Sequence, residues 1–303
     1  MSFFNYAVSK TIMHVPSPVV HHFAKDYVAG NDLDDAVRVC RELSAKGIES
    51  TLDILGEYIT KKEQALPFKQ DCIDILETIH RDKLDANLSV KPSQMGLLMD
   101  YDFAFNNLRD IVARAAELNG FVRIDMEDIE CNEDTIKIYR ILREEFPDHV
   151  GTALQSYMRN AMDHLELLGD GPINLRLVKG IFIVTRQQAW RDPELITRNY
   201  IQLLERMFEL GAYVGIATHD ERLYYEAQKL IKKFGLKREQ YEFQMLLGVD
   251  PELRDLIVSE GHRLRVYIPY GKQWLGYSRR RLLENPNIAR AALGQMLRGT
   301  GGR

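Results

Sequence analysis

Cysteine is scarce in this chain: Cys40, Cys72 and Cys131 are the only three in 303 residues. They are scattered, odd in number and outside any CxxC or Cys/His spacing. That excludes a disulfide framework and a zinc site and points to reduced cytosolic thiols. A basic excess is missing too, since 40 Lys and Arg stand against 44 Asp and Glu for a net charge of -4. A bulk nucleic-acid binder is thereby excluded, and any anion site must be local. No apolar run approaches about 18 residues, and the opening Met1-Ser-Phe-Phe-Asn-Tyr6 lacks the basic-then-apolar pattern of a secretory leader. The expectation is a soluble cytoplasmic protein. Phe3, Phe4 and Tyr6 could touch a membrane surface, though packing on the body of the fold is the simpler use for them. A Gly-rich phosphate turn is also absent, because Asp53-Ile-Leu-Gly-Glu57 is not GxGxxG, and no low-complexity linker marks a second domain.

What is present is a chain 45% hydrophobic, enough for a large core. Short apolar, β-rich runs alternate with long amphipathic stretches. Eight such runs occur: Thr51 to Leu55, Ala86 to Lys91, Phe121 to Met126, Gly151 to Gln155, Asn174 to Gly180, Tyr213 to Thr218, Glu242 to Leu247 and Leu264 to Ile268. Between them lie helical stretches such as Asp100 to Leu118 and Pro193 to Leu210, the latter opened by Asp192-Pro193 as N-cap and N1. Gly120 and Gly211 follow helices where C-terminal glycines belong. Eight β/α units in one chain of this size predict an α/β fold of the (β/α)8 TIM-barrel type rather than an open sheet. Residues 1–49 are expected to form a helical segment packed on the barrel, with a helix from Asn31 to about Ala45. Residues 50–290 form the catalytic barrel and 291–303 the carboxyl-terminal helix and tail. The apolar stretch 287–297 reads as a cap over the barrel or as a self-association surface.

Barrel enzymes place chemistry at the carboxyl ends of their strands. Here those ends offer Asp53 and Glu57, then Lys91, then Asp125, Glu127 and Asp128, then Gln155 and Tyr157. Arg176, Lys179 and Gly180 follow on strand five, Thr218, His219 and Asp220 on strand six, Gln244 on strand seven, and Tyr267, Tyr270 and Gly271 on strand eight. Each has an ordinary structural use by itself, but their coincidence on one face of one architecture does not. Lys91 sits in a strand that should be largely buried, so its ammonium must find a counter-charge or lose its proton. Asp125 at the end of the next strand is the natural partner, and the two alternatives are an ion pair facing a substrate carboxylate or a desolvated Schiff-base amine. Near the carboxyl end, Tyr277, Arg280, Arg281 and Glu284 fall at i, i+3, i+4 and i+7, one stripe of a helix. Two guanidiniums side by side suit bidentate capture of a carboxylate or phosphate. On composition alone a solvated basic face is the simpler reading.

Seven segments in order over residues 30–290 resemble the FAD-dependent proline dehydrogenases of the compact bacterial monofunctional type. They are Leu52-Asp-Ile-Leu-Gly-Glu57, Ser89-Val-Lys91, Arg123-Ile-Asp125-Met-Glu127, Arg176-Leu-Val-Lys-Gly180, Ala217-Thr-His219, Glu242-Phe-Gln-Met-Leu246, and Arg265-Val-Tyr267-Ile-Pro-Tyr-Gly271 followed by Tyr277 and Arg280-Arg281-Leu-Leu-Glu284. The resemblance implies a distorted (β/α)8 barrel with its last helix over the mouth, and oxidation of L-proline to 1-pyrroline-5-carboxylate with hydride passing to FAD. It further implies a carboxylate clamp of Arg280, Arg281 and Lys91, with Asp125 holding Lys91, Glu284 holding Arg281, and Glu57 forming a separable ion pair with Arg280. Tyr267, Tyr277 and Leu246 would wall the proline ring. Gln155, Arg176, Val178, Lys179, Gly180, Thr218 and His219 would hold the flavin, with Arg176 near its reactive edge. Electrons would pass to a quinone, through no more than a peripheral contact with the inner face of the cell membrane, or to oxygen. One departure stands out: the family continues Arg-Leu-Val-Lys-Gly with Ala-Tyr, where this chain has Ile181-Phe182.

Two other readings differ in class. A relative in the same family could act on hydroxyproline or another cyclic or secondary amino acid, but the Tyr267 phenol would leave no room for an added hydroxyl. A Schiff-base lyase using Lys91, or an anion-binding module using the arginine stripe, would be colourless after FAD is added.

Overall fold

A computed structural model describes residues 25–56, 59–169, 171–182 and 184–278. Eight parallel strands pair in chain order and close into a barrel, the last on the first. They are β1 (Glu49–Ile54), β2 (Ala86–Val90), β3 (Val122–Ile124), β4 (Val150–Gln155), β5 (Asn174–Val178), β6 (Tyr213–Ala217), β7 (Tyr241–Leu246) and β8 (Leu264–Tyr270). The helices are α1 (Leu33–Ser44), α2 (Ala65–Arg81), α3 (Tyr101–Glu117), α4 (Ile129–Glu145), α5 (Ala161–Leu167), α6 (Pro193–Glu209), α7 (Glu221–Phe234) and α8 (Pro251–Ser259). The (β/α)8 barrel expected from the spacing is the fold, and each of the eight expected runs carries a strand.

Local chemistry sets the ends of these elements. Asp192 caps α6 by accepting from the Glu194 and Leu195 amides, with Pro193 at the first helical position. Gly211 takes the left-handed backbone after α6, at φ +68°. After α3 that conformation falls to Asn119 at φ +52°, one residue before the glycine that the sequence singles out. Strand β8 runs to Tyr270, past Pro269, where a proline should end a central strand. Pairing with β1 continues past the proline, with the Tyr270 carbonyl accepting from Leu55 N (2.8 Å), and the Pro269 carbonyl accepts from Ala29 N (2.9 Å), which lies on no strand. Helix α1 packs against both β1 and β8, covering the seam where the barrel closes.

The strands alternate strictly. Leu52, Leu88, Ile124, Leu175, Leu177, Val214, Ile216 and Ile268 are fully buried and share one core with the surrounding helices. Each such side chain stabilises the fold by about 1.5–3 kcal/mol. The opposite faces carry Thr51, Asn87, Arg123, Arg176, Glu242 and Arg265, all buried and nearly all hydrogen-bonded. Bonds between strands that are not neighbours place these groups in the lumen, as when Arg176 on β5 reaches Gln244 on β7. The interior is therefore a polar network, where most such barrels stack branched apolar side chains. Arg123 donates to the Thr152 and Asn174 carbonyls (2.9 Å each) and lies where a Cβ on Gly151 would come within 2.3 Å of its Nη1.

At the amino-terminal floor Glu242 accepts from Arg265 Nε (2.8 Å), Gln244 Nε2 (2.5 Å) and Tyr213 Oη (2.8 Å), and Arg265 also pairs with Glu49. Burial pushes the Glu242 carboxyl up, but the charge and bond of Arg265, with the other two donors, hold it down at about 2. A native value below the ordinary 4.5 means that the ionised group stabilises the fold above about pH 4.5, and that this stability is lost as pH falls toward about 2. Glu242→Gln should cost about 3–5 kcal/mol at neutral pH, because it leaves Arg265 short of a counter-charge. It should also flatten the stability curve between about pH 4.5 and pH 2. Urea unfolding across that range measures both, and a variant curve parallel to the parent would contradict the role given to Glu242.

Candidate active site

At the carboxyl ends of the strands a cavity of about 460 Å³ opens, within the range of small-molecule pockets. Its walls include Asp53, Lys91, Asp125, Gln155, Arg176, Val178, Lys179, Gly180, Thr218, His219, Gln244, Leu246, Tyr267 and Tyr277. Every described residue expected for the clamp, the ring wall or the flavin is on this wall, whereas Asp128, Tyr157, Tyr270 and Gly271, also named at the strand ends, do not line it. Glu57, Arg280, Arg281 and Glu284 lie outside the described residues, as does the stretch 287–297.

Lys91 is set by a short stretch of sequence. Proline at 92 disfavours helical backbone at 91, and Lys91 is extended (φ -98°, ψ 123°), which continues the inward alternation of Asn87 and Ser89. The following 3-10 turn, Pro92–Met95, is clamped on both sides. Gln94 Nε2 donates to the carbonyls of Ile54 (3.0 Å) and Gly56 (2.6 Å), while Ser93 N and Oγ donate to the Glu127 carboxylate (2.7 Å each). Ser93 and Gln94 are bracing residues that the sequence reading passed over, and the only signal for them is the Lys-Pro step itself.

The counter-charge of Lys91 is Asp53, whose Oδ1 accepts from its Nζ in a buried ion pair. The sequence reading chose Asp125, and the correction has a physical cause: Asp125 is committed elsewhere. Its Oδ1 accepts from Arg176 Nη1 (2.7 Å) and Ser89 Oγ (2.5 Å), and its Oδ2 from the Tyr267 hydroxyl (2.8 Å). Burial raises the Asp53 carboxyl to about 6, Asp125 adds to the rise, and the charge of Lys91 opposes it. Burial and the flanking carboxylates likewise push the Tyr267 phenol well above its ordinary value, so it stays a donor.

Arg176 spans the lumen. Its Nε donates to Gln244 Oε1 (2.6 Å), the Nε2 of the same amide donates to Glu242, and its guanidinium lies 5.2 Å from the Tyr267 ring centre. Gly215 permits this, since a Cβ there would come within 2.4 Å of the Gln244 amide. On the same side Gln155 Nε2 donates to the Met126 and Glu127 carbonyls (3.2 Å each), while its Oε1 is buried with no partner among the described residues. Lys179 pairs with Asp220 (2.5 Å), which also caps α7. Nε2 of His219 accepts from the Leu246 amide (2.9 Å), so a neutral ring carries its proton on Nδ1. Tyr277 is buried against Val28 and Leu55, with Tyr27 and Trp274 packed beside it, and residues 274–278 are helical. Ile181 and Phe182, the departure noted above, both line the cavity, and Ile181 is exposed.

Comparison with known proteins adds an independent line. The sequence pattern of the family described as proline dehydrogenase matches residues 36–292. The chain is similar to proline dehydrogenase of Deinococcus radiodurans, with 34% identity over 282 residues, 92% of this chain and 91% of that protein. It is also similar to proline dehydrogenase 1 of Bacillus subtilis strain 168, with 33% identity over 275 residues, 91% of each. Among solved structures, proline utilization A of Bdellovibrio bacteriovorus inactivated by N-propargylglycine superposes with a TM-score of 0.81 at 23% identity. That overlap takes in 88% of this chain and 33% of the longer one, and it is a likeness of fold.

Gly180 closes one wall at φ +98°, and a Cβ there would lie 2.2 Å from the Tyr157 ring. Gly180→Ala should therefore destabilise the protein by about 1–3 kcal/mol through backbone strain and ring displacement together. Thermal unfolding checks this, and an unchanged midpoint would show that the loop after β5 is not held as described.

Proposed function

The chain belongs to the proline dehydrogenase family, and from that premise we propose that its barrel mouth binds L-proline beside Lys91 and FAD against the ends of β4, β5 and β6. It is an oxidoreductase that converts L-proline to 1-pyrroline-5-carboxylate, the first step of proline catabolism. The observation that carries the site assignment is that one cavity joins a buried, braced ammonium at Lys91 to an unpartnered buried acceptor at Gln155 and a fixed guanidinium at Arg176.

The donor set fits a flavin. An isoalloxazine offers both an N–H and carbonyl oxygens, so Gln155 Oε1 would accept from it and Arg176 would place positive charge where negative charge grows during reduction. Val178, Lys179, Gly180, Thr218 and His219 complete that wall, and Gly180 lets the chain pass close. A bound FAD supplies the hydride acceptor. The remaining work belongs to the protein. Lys91 binds the substrate carboxylate, and the resemblance assigns the rest of the clamp to Arg280 and Arg281, with Glu284 and Glu57 as their carboxylate partners. Tyr267, Tyr277 and Leu246 pack on the ring and exclude water, which fixes the reacting carbon in one orientation. Asp125, held by Arg176, fixes the Tyr267 phenol. A secondary amine releases hydride only from its unprotonated form, so turnover at low substrate should rise toward alkaline pH. Electrons then pass to a quinone or to oxygen. Among the described residues no helix is long and apolar enough to cross a membrane, and a peripheral contact would suffice for a quinone.

The purified protein with FAD should be yellow and should bleach on anaerobic addition of L-proline. A colourless protein after FAD is added would sink the reading. Arg281→Met should raise the Michaelis constant for proline by about ten- to a hundredfold while leaving the flavin spectrum intact, because a charged hydrogen bond of about 1.5–3 kcal/mol is lost from the substrate. Steady-state kinetics decide this, and an unchanged constant removes Arg281 from the clamp.

A further inference from the structure

We propose that Asp53 is a positioning residue that keeps Lys91 charged and aimed at the substrate carboxylate at the alkaline pH where the substrate amine is unprotonated. The inference rests on the reading of Lys91 as a carboxylate-binding cation. It starts from a conflict: a buried ammonium tends to shed its proton as pH rises, and that is the range in which the reaction runs. The Lys91 side chain is only 10% exposed and that of Asp53 1%, so each charge is supported by its bond to the other more than by water. Among the described residues the charged and titratable groups around this pair are Asp125 just after β3, Arg176 from β5, Tyr267 and Tyr270 from β8, and Cys72 from α2, with the Tyr270 phenol held protonated by burial and these neighbouring charges. Arg176 opposes a second cation, and Asp125 is bonded to Arg176, Ser89 and Tyr267. Burial keeps the Cys72 thiol protonated, and Tyr267 likewise stays neutral. Among the described residues Asp53 is the group bonded to the ammonium that bears a full negative charge above mildly acidic pH.

The test is calorimetric titration of the flavin-loaded enzyme with tetrahydrofuran-2-carboxylate, which has a carboxylate but no amine to oxidise, from about pH 7.5 to about pH 10. Affinity in the parent should stay level through that range. In Asp53→Asn it should fall by up to about tenfold per pH unit once Lys91 begins to lose its proton, while Asp125→Asn should give a shallower slope. Lys91→Met combined with Asp53→Asn should bind weakly with no such slope, since the titrating group is gone. Asp53→Ser provides a second variant with the same expected slope if Asp53→Asn does not fold, and the flavin spectrum reports folding in each. Parallel curves for the parent and the Asp53 variants overturn the proposal. If Lys91→Met alone leaves the parent's affinity unchanged, the clamp reading itself falls, and this inference falls with it.

Discussion

Arg176 reaches across the barrel lumen to Gln244 on one side and Asp125 on the other, and the mouth is arranged around that guanidinium. A charge this buried is tolerated only where its bonds are met. They are met by a chain of contacts that runs from the floor, through Glu242 and Gln244, to Arg176, Asp125 and the Tyr267 hydroxyl at the top. Two consequences follow. Asp125 is occupied, so the ammonium of Lys91 falls to Asp53, and Tyr267 is fixed as a donor facing inward. The polar lumen thus carries position from the floor, where the barrel is held together, to the mouth, the proposed place of the chemistry.

This economy of charge suits a reaction that the cofactor performs. Nothing in the mouth has to act as a strong nucleophile, and among the described residues no group of His, Cys, Asp or Glu is arranged to hold a metal ion. What the reaction requires of the protein is a fixed cation for the carboxylate, a water-excluding wall for the ring, and positive charge beside the acceptor. In the proposed site Lys91, the tyrosines with Leu246, and Arg176 would answer these in turn. Ile181 and Phe182 line the edge of the same cavity.

The fold was legible because a (β/α)8 barrel repeats one local signal eight times. The alternation of Leu52 with Thr51 and Asp53, or of Leu175 and Leu177 with Arg176, marks strands whose two faces have different neighbours. The cavity wall followed for the same reason, since the last inward residue of each strand must face the mouth. The choice between Asp53 and Asp125 was not legible. Both flank β2 and both carry the charge that Lys91 needs. The difference lies in a residue two strands further on, Arg176, that contacts Asp125 only once the barrel has closed. Ser93 and Gln94 stayed hidden likewise, because their partners Glu127 and Gly56 lie on other loops. Strand β8 outran the expected end at Ile268, because pairing with Asp53 and Ile54 of β1 carries it through Pro269 to Tyr270.

The central claim is that one cavity holds the substrate carboxylate on Lys91 and the flavin against Gln155 and Arg176. The most direct measurement is a crystal structure of the enzyme with FAD and tetrahydrofuran-2-carboxylate. The account predicts the ligand carboxylate within hydrogen-bond reach of Lys91 Nζ, Asp53 still on that ammonium, Asp125 still on Arg176, and the flavin ring accepted by Gln155 Oε1. A ligand carboxylate bound away from Lys91, or a flavin seated away from Gln155 and Arg176, would contradict it.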